Sequence, residues 1–128
     1  KAVAAVAEYM SRELLVIEPE AGLAAAASLM AQRRVGSVLV VVGGRLEGIF
    51  TERDIVRAVS QDVMAMHEPV SDWMTRTPFT VMPETPIDEA RDLMLEHHFR
   101  HLPVTRGDEL VGMISMRDLT RAAAEDRD

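Results

Sequence analysis

The sequence predicts an α/β fold of the α+β kind: two similar small sheets, each flanked by helices. Three observations predict it. The stretch Gly48-Ile49-Phe50-Thr51-Glu52-Arg53-Asp54 recurs as Gly112-Met113-Ile114-Ser115-Met116-Arg117-Asp118, an offset of 64 residues. The same offset matches Met10 with Met74, Pro19-Glu20 with Pro83-Glu84, Leu29-Met30 with Leu93-Met94 and Arg57 with Arg121. A match that holds register without a gap is a tandem duplication. Secondly, apolar runs of strand length alternate with segments of helical period, which argues for sheets covered by helices. Thirdly, Gly43-Gly44 and Gly107-Asp108 each separate two apolar runs, as a hairpin turn requires.

The duplication divides the chain into repeat one, residues 1–60, and a linker with repeat two, residues 61–128, together one module. A 64-residue unit alone would bury too little surface to be comfortably stable, so the halves are expected to pack together.

In chain order, residues 3–12 read as a short helix with Val6 and Met10 one turn apart, echoed at 70–76 by Val70 and Met74. Residues 14–17 and 79–82 read as brief strands, each ended by a proline, Pro19 or Pro83. A long helix follows over 20–34, with Leu23, Ala26, Ala27 and Met30 on one stripe. Its copy carries Ile87, Ala90, Leu93 and Met94. The copy is expected to start more sharply: Thr85 can cap, Pro86 suits the first helical position and Asp88 completes a capping box. Hairpins follow over 37–50 and 102–114. Residues 38–42 are apolar without alternation, so that strand is expected to be buried on both faces. Thr51 and Ser115 open the last helices of the repeats, and residues 60–69 link the halves.

Composition excludes several functions. A net charge of −7 argues against a nucleic-acid surface, which needs a broad basic field. The chain has no cysteine, which removes disulfides and thiolate zinc sites. No apolar run is long enough to span a bilayer. The opening Lys1-Ala2-Val3 does not read as a signal peptide, so a cytoplasmic location is expected.

Chemistry concentrates at Thr51-x-x-Asp54 and Ser115-x-x-Asp118. A hydroxyl residue followed by an acid three positions later is, in its plainest reading, a capping box. The same place also offers helix amides and the positive end of the helix dipole to an anion. A carboxylate there can accept hydrogen bonds from a ribose diol. Arg53 and Arg117 stand in the same turn and could neutralise phosphate, since a guanidinium suits phosphate well. Gly48 and Gly112 could admit a close backbone approach. Diol, phosphate and apolar walls together describe a nucleotide, and capping and binding are compatible.

These residues resemble a tandem pair of cystathionine-β-synthase (CBS) domains, a Bateman module. Both copies of the junction match that family's G-x-x-[TS]-x-x-D signature. Phe99-Arg100-His101-Leu102-Pro103-Val104 matches its second-strand signature, and Val70-Ser71-Asp72-Trp73-Met74 its lead-in helix. The resemblance covers nearly the whole chain. It implies two repeats packed through their sheets about a pseudo-twofold axis, with clefts that bind adenosine compounds such as AMP, ADP, ATP or S-adenosylmethionine. It implies that Asp54 and Asp118 hold ribose, with Thr51 and Ser115 near the phosphate, and that Thr80 helps hold adenine. Repeat one has Val16 where repeat two has Thr80, and lacks the Arg100-His101 pair and Pro103. By that analogy the better site combines Thr80, Arg100, His101, Leu102 and Pro103 with Thr51 and Asp54. The other, built on Ser115, Asp118, Ile17, Ser37 and Val38, reads as degraded.

His97, His98 and His101 straddle a helix end and a strand start without a facing acid, so no metal site is expected. His101 is read instead as a phosphate or base contact. The sequence has no P-loop, nucleophile elbow, H-E-x-x-H or cysteine nucleophile, and it carries no acid–base pair with assignable roles. The expected function is regulatory: a module that senses an adenosine nucleotide, needs no cofactor, and is not an enzyme. The alternative is a structural dimerisation module that no longer binds ligand. A homodimer is expected, with an effector protein or fused domain as a further partner.

Overall fold

The computed structural model describes residues 3–76 and 79–126. It has the mixed α/β architecture that the sequence predicts. The chain forms two compact units, Leu15–Pro78 and Lys1–Leu14 with Phe79–Asp128. These boundaries fall differently from the duplication. Each short lead-in segment packs with the body of the other repeat.

In the Leu15–Pro78 unit, strand β1 (Val16–Ile17) precedes helix α1 (Leu23–Arg33), the hairpin of β2 (Ser37–Val42) and β3 (Arg45–Thr51), and helix α2 (Glu52–Gln61). Strand β4 (Thr75–Arg76) comes from the lead-in of repeat two. The sheet order is β1-β2-β3-β4, with β1 parallel to β2 and the other pairs antiparallel. The second unit has helix α3 (Ile87–His97), the antiparallel hairpin of β5 (His101–Arg106) and β6 (Glu109–Ser115), and helix α4 (Met116–Asp126). Its outer strands shrink to single bridges, Val81 with Val104 and Ser11 with Met113. Shifted by 64 residues, these are the Ile17–Val40 and Thr75–Ile49 pairs of the first unit. The duplication therefore holds at the level of single ladder positions.

The exchange of lead-in segments explains why the expected helices at 3–12 and 70–76 do not form. Only single 3-10 turns appear, at Val6–Glu8 and Val70–Asp72. The backbone around each turn is spent on the neighbouring long helix instead. Leu23 N–H donates to Glu68 O at 3.0 Å, and Val70 N–H to Ala21 O at 2.8 Å. In the other unit Ile87 N–H donates to Ala4 O at 3.0 Å, and Val6 N–H to Thr85 O at 2.8 Å.

Those bonds also correct the expected helix starts. The residues before α1 and α3 are Gly22 and Pro86, and neither makes a side-chain cap. The Thr85 hydroxyl accepts from Met82 N–H at 3.0 Å, while Asp88 pairs with Arg91 at 2.9 Å. A carbonyl just ahead of each 3-10 turn, Glu68 O or Ala4 O, satisfies the first helical N–H in both copies, so a side-chain cap is redundant. The two helices consequently start at equivalent positions. They also end alike, in left-handed residues Arg34 (φ 56°) and His98 (φ 60°).

One face of each sheet carries the core. In the first unit Val38, Val40 and Phe50 pack with Leu23, Ala26, Met30, Ala58, Ala65 and Val70. In the second, Leu102, Val104 and Ile114 pack with Ile87, Ala90, Met94, Leu119, Ala122 and Val6. Strand β2 is buried from Ser37 to Val40, but Val42 at the hairpin end is exposed. Burial on both faces thus extends over only part of the strand. Gly43 and Gly44 both take positive φ, 57° and 80°, as the primed turn of a tight hairpin requires.

Candidate functional site

Each strand-to-helix junction is built the same way. β3 ends at Thr51 opposite Ser37, and β6 ends at Ser115 opposite His101. At the first junction the Asp54 carboxylate turns back on the helix start. Its Oδ2 accepts from Thr51 N–H at 2.9 Å and from the Thr51 hydroxyl at 3.2 Å, while Thr51 Oγ1 accepts from Asp54 N–H at 3.4 Å. At the second, the corresponding distances to Ser115 and Asp118 are 2.8, 3.0 and 3.2 Å. Both are complete capping boxes by these bonds.

The anion capacity of these helix ends is smaller than the sequence suggests. Glu52 N–H donates to Gly36 O at 3.1 Å, and Met116 N–H to Arg100 O at 2.9 Å. Together with the capping bond, two of the first three amides of each helix are engaged within the protein.

What remains open is the other carboxylate oxygen. Asp54 is buried, 8% exposed, and its Oδ1 faces Arg57 Nη2 at 3.3 Å. That Nη2 also donates to Trp73 O at 2.8 Å, and the guanidinium lies 5.0 Å from the Trp73 ring centroid. The Trp73 indole N–H in turn donates to Glu68 at 2.9 Å. The counterpart is Arg121, with Asp118 Oδ1 at 3.8 Å, Tyr9 O at 3.2 Å and the Tyr9 ring at 5.5 Å. Sequence reasoning missed this pair of clusters. The signal was available in part: Asp54 and Arg57 stand one helical turn apart, and Trp73 aligns with Tyr9 under the 64-residue offset.

The remaining candidates divide between the units. Ile17, Ser37 and Val38 lie in the first unit, where Ser37 and Val38 are buried. Ser37 stands in register with Thr51, and Ile17 with Val40. Thr80, Arg100, His101, Leu102 and Pro103 lie in the second. Thr80 and Arg100 are exposed, His101 is half-buried, and Leu102 and Pro103 are buried. Pro103 O accepts from Val81 N–H at 3.1 Å, which fixes the chain next to Thr80. Arg53 and Arg117 are exposed. The arginines that meet the junction acids are Arg57 and Arg121. His97 stacks on Phe79, at 4.3 Å between ring centroids, and both rings lie 5.6 Å from Phe99 in a three-ring cluster. Among the described residues no group of histidines and acids is placed to hold a metal ion.

The two glycines have a structural reason to be glycine. A Cβ on Gly48 would stand 2.6 Å from Thr75 O and 2.7 Å from Met74 Sδ. On Gly112 it would stand 2.6 Å from Met10 Sδ and 3.0 Å from Ser11 O. The close approach expected at these positions is made by the lead-in segment of the protein itself.

The recurrence of the whole constellation, strand, capped junction and exchanged lead-in, has a match among known families. The CBS domain family model fits residues 6–61 and again 70–125. The chain belongs to the CBS domain family. Among its relatives, CBS domain-containing protein YhcV of Bacillus subtilis is 32% identical over 117 residues, 91% of this chain and 84% of that protein. A CBS-domain containing protein of Agrobacterium tumefaciens has the same fold at a TM-score of 0.90, with 30% identity over 94% of this chain and 99% of that one. CBSX2, solved in complex with AMP, matches at a TM-score of 0.84 and 25% identity, covering 97% of this chain and 98% of its own. This CBS pair thus carries two junctions of one design. Among the described residues no helix is long and apolar enough to cross a membrane.

Proposed function

We propose that this CBS pair is a regulatory module that binds an adenosine-containing nucleotide: AMP, ADP, ATP or S-adenosylmethionine. The observation that carries the reading most is the AMP complex of CBSX2, a neighbour alike over nearly the whole chain. The junctions supply fitting chemistry. Asp54 Oδ1 has one neighbouring donor at the long distance of 3.3 Å, and a carboxylate oxygen can accept a second bond, here from a ribose hydroxyl. We assign Thr51, Arg53 and Asp54 to ribose and phosphate, as also Ser115, Arg117 and Asp118 in the other unit. Thr80, Arg100, His101, Leu102 and Pro103 are assigned to base and phosphate, and Ile17, Ser37 and Val38 to the weaker counterpart. A binding role in place of catalysis is supported by relatives such as YhcV, a CBS domain-containing protein matched over most of its length.

The capping boxes favour a second reading, a structural dimerisation module without a ligand, since they account for both acids by themselves. Exposed Val56, Val63 and Met64 in the first unit are compatible with a homodimer under either reading. Thermal melting with each of the four nucleotides separates the two. A ligand present at 100 times its dissociation constant adds about 2.7 kcal/mol, so at least one of the four should raise the melting temperature by several degrees. No shift with any of them would leave the structural reading standing. Sedimentation of the same samples should give a dimer; a monomer at high concentration with and without nucleotide would remove the assembly from the proposal.

A further inference from the structure

We infer that Arg57 is a positioning residue that couples occupation of Asp54 to the lead-in segment around Trp73. The inference rests on the nucleotide-binding reading and adds a relay to it. One nitrogen, Arg57 Nη2, serves both ends: Asp54 Oδ1 at 3.3 Å and Trp73 O at 2.8 Å. The shorter bond goes to the backbone of the lead-in, so the guanidinium is anchored there and reaches toward the acid. Its charge also lies 5.0 Å from the Trp73 ring centroid, within the range of a cation–π contact. Asp54 cannot swing freely, because Oδ2 is held by two donors from Thr51. A hydroxyl arriving at Oδ1 must therefore share that oxygen with Arg57 or turn the guanidinium away. When the guanidinium turns, the charge over Trp73 and the bond to its carbonyl change with it.

The lead-in is a suitable receiver. Trp73 is followed by β4, which pairs with β3 at Gly48 and Ile49, and its indole is tethered to Glu68. A shift at Trp73 thus reaches both the fourth strand and the linker. The same construction at Arg121 and Tyr9 shows that the arrangement belongs to the repeat and is not an accident of one surface.

Trp73 is the single tryptophan of the chain, so the relay has its own spectroscopic probe. AMP is titrated into the parent chain and into Arg57→Gln, Arg57→Lys and Asp54→Asn. Binding is followed by calorimetry, and indole emission is excited at the red edge of the band, where adenine does not absorb. The expected parent result is a Trp73 emission change that saturates with the calorimetric isotherm. Arg57→Gln should keep AMP binding, weakened roughly three- to tenfold, about the strength of one ordinary hydrogen bond. It should lose the emission change. Arg57→Lys keeps the charge but not the planar fork, and should lose most of it too. Asp54→Asn should weaken binding and the response together. Full retention of the AMP-induced change in Arg57→Gln would overturn the relay, since Trp73 would then sense AMP directly. AMP binding to the parent without any emission change would overturn it as well. Absence of binding heat in the parent with AMP, and then with ADP, ATP and S-adenosylmethionine in turn, would instead sink the nucleotide reading, and the relay with it.

Discussion

The clusters around Asp54 and Asp118 share one plan and differ in tightness. Arg57 stands 3.3 Å from its acid and 2.8 Å from its anchoring carbonyl; Arg121 stands 3.8 and 3.2 Å from the equivalents. The Asp54 side chain is 11% exposed and that of Asp118 is 22% exposed. Arg121 is also shared with Glu125 at 4.0 Å, and the Tyr9 hydroxyl donates to Glu125 at 3.4 Å. Arg57 has no such competitor among the ion pairs of the described residues. The caps run the other way, being slightly shorter at Ser115. Duplication has therefore preserved the capping box in both copies, while the arginine side of the acid has diverged. A buried carboxylate with one dedicated cation is the better-defined acceptor, because a lower local dielectric strengthens each polar contact it makes.

The glycines offer the largest break in that symmetry. At Gly48 the nearest atom to an added Cβ is a backbone oxygen, Thr75 O at 2.6 Å; at Gly112 it is Met10 Sδ at 2.6 Å, with the backbone at 3.0 Å. A methionine side chain can move where a strand carbonyl cannot. Gly48→Ala should destabilise by about 2–3 kcal/mol and Gly112→Ala by about 1 kcal/mol, the scale of overpacking in well-packed sites. Urea unfolding of both variants checks this. Equal losses would mean that the two lead-ins are held with equal rigidity.

A smaller effect is expected at the caps, where the repeats agree. Thr51→Ala and Ser115→Ala should each lower stability by about 1 kcal/mol and differ by only a few tenths. Chemical unfolding midpoints would show it. A loss confined to Ser115→Ala would move the divergence from the arginines to the caps.

Much of this was legible in the sequence. The 64-residue offset fixed the repeat, the glycine pair fixed the β2–β3 turn, and the hydroxyl-acid spacing located both junctions. These are local patterns, with partners only a few residues apart. The missed features join distant residues. Arg57 finds Trp73 sixteen positions on, and Arg121 finds Tyr9 across 112. Nothing in a helical or strand period states which body a three-residue turn will dock on, so the exchanged lead-ins carry the pattern of ordinary helices. The same blind spot produced the wrong cap at Thr85, whose role is taken by a carbonyl from Ala4. The nucleotide contacts proposed for Thr80, Arg100 and His101 rest on resemblance, because polar residues outside the core carry no periodic signal of what they meet.

Under the proposed function the junction acids bind nucleotide, Asp54 more strongly than Asp118. The direct measurement is calorimetric titration of AMP into the parent, Asp54→Asn and Asp118→Asn. Asparagine keeps a side-chain oxygen for the cap, and circular dichroism confirms that each variant is folded. Losing a charge-assisted bond worth roughly 1.5–3 kcal/mol should weaken AMP affinity about tenfold or more in Asp54→Asn, with a smaller loss in Asp118→Asn. AMP binding unchanged in both variants would contradict the account and leave these acids as helix caps alone.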